Sequence, residues 1–396
     1  MNPIPTRLEE LTPAWVTNAL RARGLLGDGL VRSAPQQVLG EGEGFLGAIA
    51  RLQLDYEGDA SNAPTSLVAK LPTPVAENRT MGEVLGAYWR EIHFYEEMSG
   101  DFPVRVPAVY WSDLTPDPMR ERQDDIVAKL DKLPTWLVST IMFGAGLIVK
   151  RNAHRYALLI EDLAPASAGD QLAGADADTC GRVLDVAATL HAHFWQKPIL
   201  KEHFWLARQD VGPRFRHRMY WNARKNFRKR YPDLIQGERT KIVDWLDRNS
   251  MQLSHSLHPE APQTLIHCDL RFDNIFFTPE GKVILGDWQL VGVGAAAYDI
   301  AYLISSALHA DAPAEEEERL LRGYHAALEA RGVSDYPFER FQRDYWRGLF
   351  AVLQILATTN SVDLSAGSEN RGDELMHAWT DRALTLLSRA PLERVL

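Results

Sequence analysis

With 396 residues, 45% of them hydrophobic and 24% charged, the chain has a globular composition and is too long for one ordinary core, so two packed lobes are expected. A formal net charge of −10 argues against a general nucleic-acid binder. The only cysteines are Cys180 and Cys268, which argues against a disulfide framework and fits a reducing cytoplasm.

From the amino end, Glu9 and Glu10 interrupt any apolar run, and no secretory leader is expected. Thr12 and Pro13 ahead of Ala14–Arg23, with Gly24 behind, predict a helix with an N-cap, a proline at its first position and a glycine stop. Next, Gly42, Gly44 and Gly47 form a Gly-x-Gly-x-x-Gly pattern. A dinucleotide-binding turn would need a helix after it, but Arg51–Tyr56 alternates polar and apolar residues with the period of a strand. The glycines are therefore expected to join two strands as a flap whose backbone amides approach nucleotide phosphates, with a merely flexible hairpin as the alternative.

Ser66–Leu71 predicts a strand carrying Lys70. This lysine either faces solvent from a sheet edge or holds the α- and β-phosphates of a nucleotide. Leu85, Tyr88, Trp89, Ile92 and Tyr95 follow helical spacing across Thr80–Met98, and Gly100 is the expected stop. Glu91 on that helix is placed to reach back to Lys70, with Glu83 as second choice. A strand at Pro107–Trp111 is followed by an insertion, polar over Thr115–Lys132 and apolar over Trp136–Val149. Its longest uncharged run, Thr135–Val149, is 15 residues, short of the ~20 that a membrane-spanning helix needs. A helical pair over the lobe, a dimer contact and a substrate lid are all open for this insertion, and monomer and homodimer are open with it.

Tyr156–Ile160 predicts a strand running into Glu161, Asp162, Leu163, Ala164 and Pro165, then the small residues Ala166–Gly169. Such a segment suits a hinge whose backbone N–H and C=O groups read an adenine edge between apolar walls, so Glu161, Asp162 and Leu163 are candidate nucleotide contacts. The domain boundary is placed there, giving lobes 1–163 and 164–396. His191 and His193, two apart on a predicted helix, do not share a face and suggest no metal site. Val211–Arg230 holds eight Arg or Lys and no acidic residue, interleaved with Phe215, Tyr220, Trp221 and Phe227. A solvated helical face is the plain reading, and a wall receiving an anionic or aromatic acceptor is the sharper one.

Thr264–Gln289 carries the chemistry. Ile275–Phe277 and Val283–Leu285 are short apolar runs joined by Thr278, Pro279, Glu280 and Gly281, which predicts a β-hairpin. His267-x-Asp269, Asn274 before the first strand and Asp287 after the second have the spacing of a kinase catalytic loop, with one carboxylate for a hydroxyl nucleophile and an amide and a second carboxylate for Mg²⁺. Asp299 is expected to cap or anchor a loop. Glu315–Glu318 opens another helix, and Glu374–Ala390 forms the last one.

The order of these parts resembles the aminoglycoside phosphotransferase and choline kinase-like superfamily, and Glu161–Pro165, Gly169–Gln171 and Asp287–Gln289 resemble the bacterial ecdysteroid kinase-like branch most. That resemblance implies an α+β, two-lobed protein-kinase-like fold with an antiparallel-sheet N-lobe and a mainly helical C-lobe. It further implies an ATP- and Mg²⁺-dependent small-molecule kinase acting on a hydroxyl. Asp269 would be the catalytic base, Asn274 and Asp287 the metal ligands, Lys70 the phosphate-binding lysine and Glu91 its ion-pair partner. Arg271 stands where a cation would neutralise the transferring phosphoryl group. Cys268 departs from the pattern, which has glycine there, and the 115–150 insertion is longer than usual. A nucleotide-binding pseudokinase serving as an interaction module is the alternative; NAD-dependent oxidoreduction would need a helix directly after Gly47.

Overall fold

A computed structural model describes residues 3–39, 47–117, 120–134, 137, 154–359 and 371–396. Strands β1 (Leu30–Ser33) and β4 (Asp55–Glu57) form a two-stranded ladder. Beside it, β2 (Gln36–Leu39), β3 (Gly47–Gln53), β5 (Ser66–Pro72), β7 (Tyr156–Glu161) and β6 (Val109–Leu114) follow one another across a five-stranded antiparallel sheet. Strand β5 is central, with Lys70 opposite Ile49 on one side and Leu158 on the other, so the lysine does not sit on an edge. Alternation along β5 buries Leu67, Ala69 and Leu71 on one face and turns Val68 and Lys70 to the other.

The first face is covered by α1 (Pro13–Ala22), which starts where expected: Pro13 is its first residue and Thr12 Oγ1 accepts the Trp15 N–H at 3.2 Å. Trp15 packs edge-on against Trp111 of β6 at 4.8 Å. Against the second face lies a helix pair, α2 (Ala76–Leu85) and α3 (Ala87–Glu97). One continuous helix over Thr80–Met98 was expected; instead Gly86 adopts φ 69° and breaks it, a left-handed conformation that glycine takes without steric cost. The insertion contributes α4 (Gln123–Leu130), while residues 135, 136 and 138–153, on which its helical-pair, dimer and lid readings rest, lie outside the described residues.

The second half is helical: α5 (Ala177–Phe194), α6 (Pro213–Arg230), α7 (Glu238–Glu260), α8 (Ala296–Ala307), α9 (Ala314–Ala330), α10 (Phe338–Thr359) and α11 (Arg371–Leu387). Every residue of α8 is buried, and α5, α10 and α11 pack against it. Two small sheets are embedded in this lobe. Strands β8 (Ser167–Ala168), β11 (Ile275–Phe277) and β12 (Val283–Leu285) form one; β9 (Ala207–Arg208), β13 (Gly292–Ala295) and β10 (Gln263–Ile266) form the other. The predicted hairpin is β11–β12, closed by Gly281 at φ 81° with its N–H on the Thr278 carbonyl at 2.8 Å. The molecule is thus α+β, sheet first and helices after. No helix among the described residues is long and apolar enough to cross a membrane.

Helix α3 ties the halves together. Arg90 donates to the carbonyls of Trp205 and Gln289, each at 3.2 Å, and Phe94 stacks on Trp288 with ring centroids 4.4 Å apart. Phe94 is fully buried, so Phe94→Ala opens a cavity at this junction and is expected to cost about 3–5 kcal/mol. A urea-unfolding midpoint equal to wild type would show that the stack does not join the halves.

Candidate active site

Strand β10 delivers the chain to His267, and a single carboxylate then shapes the loop. Asp299, in the first turn of α8, accepts the backbone N–H of His267 at 2.6 Å and of Cys268 at 3.0 Å. His191 donates from Nε2 to Asp299 at 3.3 Å and accepts the Tyr324 hydroxyl at Nδ1, at 2.7 Å. His267 Nε2 donates to the Gly286 carbonyl at 2.9 Å, which binds the loop to the end of β12. Cys268 adopts φ 64°, the region glycine favours, at a cost of about 1–2 kcal/mol for a residue with a Cβ. Its buried Sγ accepts Gln209 Nε2 at 3.4 Å. The cysteine thus holds a left-handed turn that glycine would take without steric cost.

Beyond the turn the polar side chains converge. Asn274 Nδ2 donates to the Asp269 carbonyl at 2.9 Å and to its carboxylate at 3.0 Å, and the Tyr302 hydroxyl of α8 donates to the same carboxylate. Arg271 Nε lies 3.6 Å from Asp269 Oδ2 and Nη1 lies 3.5 Å from Asp273 Oδ2. Asp287, at φ 61°, follows β12 and accepts Gln289 Nε2 at 3.1 Å. From the sheet, Lys70 Nζ reaches Asp287 Oδ1 at 2.8 Å and Glu91 Oε1 at 2.5 Å.

One ammonium therefore serves two carboxylates, that of Glu91 buried and that of Asp287 half-buried. Burial pushes Glu91 up to about 7, opposed by Lys70 and reinforced by Asp287. Burial acts on Asp287 in the same direction, but the Lys70 charge and hydrogen bond outweigh it and hold Asp287 below the usual carboxylate range. Lys70 is raised, because its two carboxylates outweigh its own desolvation. Asp269 is raised chiefly by burial, with Arg271 pulling it back and Asp287 pushing it further.

Of the residues singled out in the sequence, Lys70, Glu91, Asp269, Arg271, Asn274 and Asp287 come together. Glu83 is spent on Arg79 at 3.3 Å, which leaves Glu91 as the partner of Lys70. Gly47 opens β3 opposite Pro72, whereas Gly42 and Gly44 lie outside the described residues. The Glu161 and Asp162 side chains pair elsewhere, with Arg105 at 2.5 Å and Arg51 at 2.8 Å, and the Leu163 carbonyl accepts the Ala166 N–H at 2.8 Å. Sequence reasoning missed Tyr302 and Gln289. Tyr302 lies three residues beyond Asp299 on one helical face, a spacing that only becomes a signal once Asp299 is known to touch the loop.

Among the described residues no group of three or more His, Cys, Asp or Glu side chains is gathered for a metal. Asp287 and the amide of Asn274, beside Asp269, nonetheless suit Mg²⁺, which takes one or two carboxylates from a protein and the remainder from water and substrate phosphates.

Removing the shared cation by Lys70→Met leaves the buried carboxylate of Glu91 and the half-buried one of Asp287 uncompensated and is expected to cost about 3 kcal/mol in urea unfolding without divalent cations. Adding Glu91→Gln should recover much of that loss; a double variant as unstable as the sum of the singles would refute the shared pairing. Burial also pushes the Cys180 thiol up to about 12 and Cys268 well above the ordinary range. Ellman's reagent should find close to no thiol in the native protein and both on denaturation; rapid native labelling of either cysteine would contradict this.

A Mycoplasma pneumoniae protein, the MG356 homologue, is 32% identical over 92 residues, 23% of this chain and 32% of that protein, so the chain matches about a third of its length. Among solved structures, the Plasmodium vivax ethanolamine kinase is 12% identical with a TM-score of 0.49, covering 94% of this chain and 85% of that one. For the microcompartment-associated aminopropanol kinase the values are 14% and 0.46, covering 96% and 99%. Amicoumacin kinase in complex with AMP-PNP, Ca²⁺ and Ami gives 12% and 0.48, covering 93% and 92%. At these scores the likeness is one of outline. The Ecdysteroid kinase-like family model, in contrast, matches residues 41–332, well over half of the chain, and with that match the chain belongs to the ecdysteroid kinase-like family.

Proposed function

We propose that the protein is an ATP- and Mg²⁺-dependent kinase that transfers the γ-phosphoryl group to a hydroxyl of a small molecule. One observation carries the reading: Lys70 of the sheet meets Asp287 of the helical half at 2.8 Å, one loop away from the hydrogen-bonded pair Asp269 and Asn274. The two units that meet there are 1–163 and 164–396. Lys70, held by Glu91, binds the α- and β-phosphates, and the backbone amides of Gly42, Gly44 and Gly47 cover them. Adenine lies against the backbone of Glu161, Asp162 and Leu163, where Arg105 and Arg51 engage the Glu161 and Asp162 side chains. Two buried free thiols fit a reducing cytoplasm.

Asn274 and Asp287 would hold Mg²⁺, which would supply positive charge to offset the β- and γ-phosphates. Asp269 accepts a hydrogen bond from the acceptor hydroxyl. As the new O–P bond forms and the bond to the β-phosphate oxygen breaks, it takes the proton. Tyr302 and Asn274 fix the orientation of that carboxylate in advance, so little reorganisation is needed during reaction. Arg271, half-buried beside it, neutralises charge on the group in flight.

Asp269→Asn should bind Mg²⁺-ATP as well as wild type in a thermal-shift titration and lose at least about 100-fold in turnover. Turnover is followed by mass spectrometry as phosphate mass gain across a metabolite extract. Undiminished phosphorylation by the variant would end the assignment of Asp269 as base.

A further inference from the structure

The basic stretch Val211–Arg230 is not uniform once folded. Arg228 pairs with Asp244 and Asp247, each at 2.7 Å, and Arg230 pairs with Asp373 at 2.5 Å. Arg216 donates to the carbonyls of Val211 at 2.8 Å and Ser254 at 3.2 Å. Arg214 and Arg218 have no carboxylate partner among the described residues. Together with His217 and Trp221 they fall at helical spacing on one face of α6, and Met251 and His255 face them from α7. These side chains line a cavity of about 500 Å³, and no acidic residue is among the described residues that line it.

Within the cavity Arg218 is half satisfied. Its Nη2 donates to the Leu133 carbonyl at 2.6 Å, while its Nη1 is buried without a partner among the described residues. A buried guanidinium donor left unpaired is costly, and an anion is its natural complement. Trp221 and Met251 are 42% and 38% exposed, an aromatic face and a flexible apolar one beside the cations. Arg224 covers one side of the Trp221 ring, 3.4 Å from its centroid, and holds it in place. The helix that carries the cavity's arginines is tied to the loop of Asp269. Gln209, just ahead of α6, bonds Cys268, and the charges of Arg216 on α6 and of Asp269 both act on the buried Tyr298 hydroxyl. The root of the insertion closes this region, with Asp131 accepting the Phe215 N–H at 2.7 Å.

We infer that this cavity receives the acceptor, and that the acceptor is an anionic, partly apolar molecule, with a carboxylate, phosphate or sulfate on Arg214 and Arg218 and its body against Trp221 and Met251. The acceptor role rests on the kinase reading above; the preference for an anion does not. The alternative of a plainly solvated helical face leaves unexplained why the acids of α7 and α11 neutralise one part of α6 and none neutralises this part.

Calorimetric titration of the full chain with 4-(hydroxymethyl)benzoate and with its uncharged methyl ester tests the anion site. The acid should bind at one site per chain, at least about tenfold tighter than the ester. Arg214→Gln with Arg218→Gln should erase that preference while Mg²⁺-ATP binding, read by thermal shift, stays unchanged. Equal binding of acid and ester, or a preference that survives in the double variant, overturns the proposal. For the acceptor role, phosphate mass gain is compared between the anionic and neutral fractions of a metabolite extract. Gain in the anionic fraction that falls at least about tenfold in the double variant supports it. Gain confined to neutral alcohols and unaffected by the variant overturns it while leaving the kinase reading intact. Absence of Mg²⁺-ATP binding in the wild type fails the kinase reading and the acceptor role with it, and the acid-to-ester ratio still judges the anion site.

Discussion

A charged group moved out of water must be met by another, and Lys70 meets that demand by standing between Glu91 and Asp287. Each of the three comes from a different kind of element: the central strand of the sheet, the helix laid across it, and the turn after β12 in the helical half. None can shift without exposing or stranding a buried charge, which the low-dielectric interior penalises steeply. Arg90 and Phe94, on the same helix as Glu91, bond and stack onto Gln289 and Trp288, the residues that follow Asp287. The electrostatic constraint and the packing constraint therefore fix the same joint.

The loop opposite is held by strain balanced against hydrogen bonds. Cys268 and Asp287 are two of three non-glycine residues with positive φ among the described residues, and they flank the hairpin from either side. Such conformations persist only where the surroundings over-determine them. Asp299 supplies that by taking two consecutive backbone N–H groups, and its own position follows from α8, whose every residue is buried. A carboxylate near the centre of the helical lobe thus sets the angle at which Asp269 leaves the loop.

How far the sequence discloses this depends on whether the cause is local. The hairpin, the capped first helix and the spacing of Asp269, Asn274 and Asp287 follow from turn chemistry and short-range pattern, and the structure has each where expected. The break at Gly86 is local too, but helical periodicity runs across it and hides it. Helix α10 buries Phe341, Tyr345, Leu349 and Leu356 at helical spacing, a pattern present in the residues but with no chemistry to draw notice. Tyr302 is different in kind: its role is created by the packing of α8 under the loop, and no property of Tyr302 in the chain announces it. The sorting of the basic stretch into paired and unpaired arginines likewise requires knowing that α7 and α11 bring their aspartates to one end only.

Two carboxylates and one ammonium leave an excess of one negative charge in a buried place, and the protein meets it by raising Glu91 toward neutrality and keeping Asp287 ionised. The carboxylate kept charged is the one facing Asn274 and Asp269, where a divalent cation suits the donors, and the one allowed a proton is set back on α3. On the proposed reading Asp287 would hold a cation and Lys70 the phosphates, and until then the lysine–aspartate contact keeps both charges paired. Glu91 then remains as the sole carboxylate on Lys70, and the ordinary one-to-one pairing that burial favours is restored by binding rather than by folding.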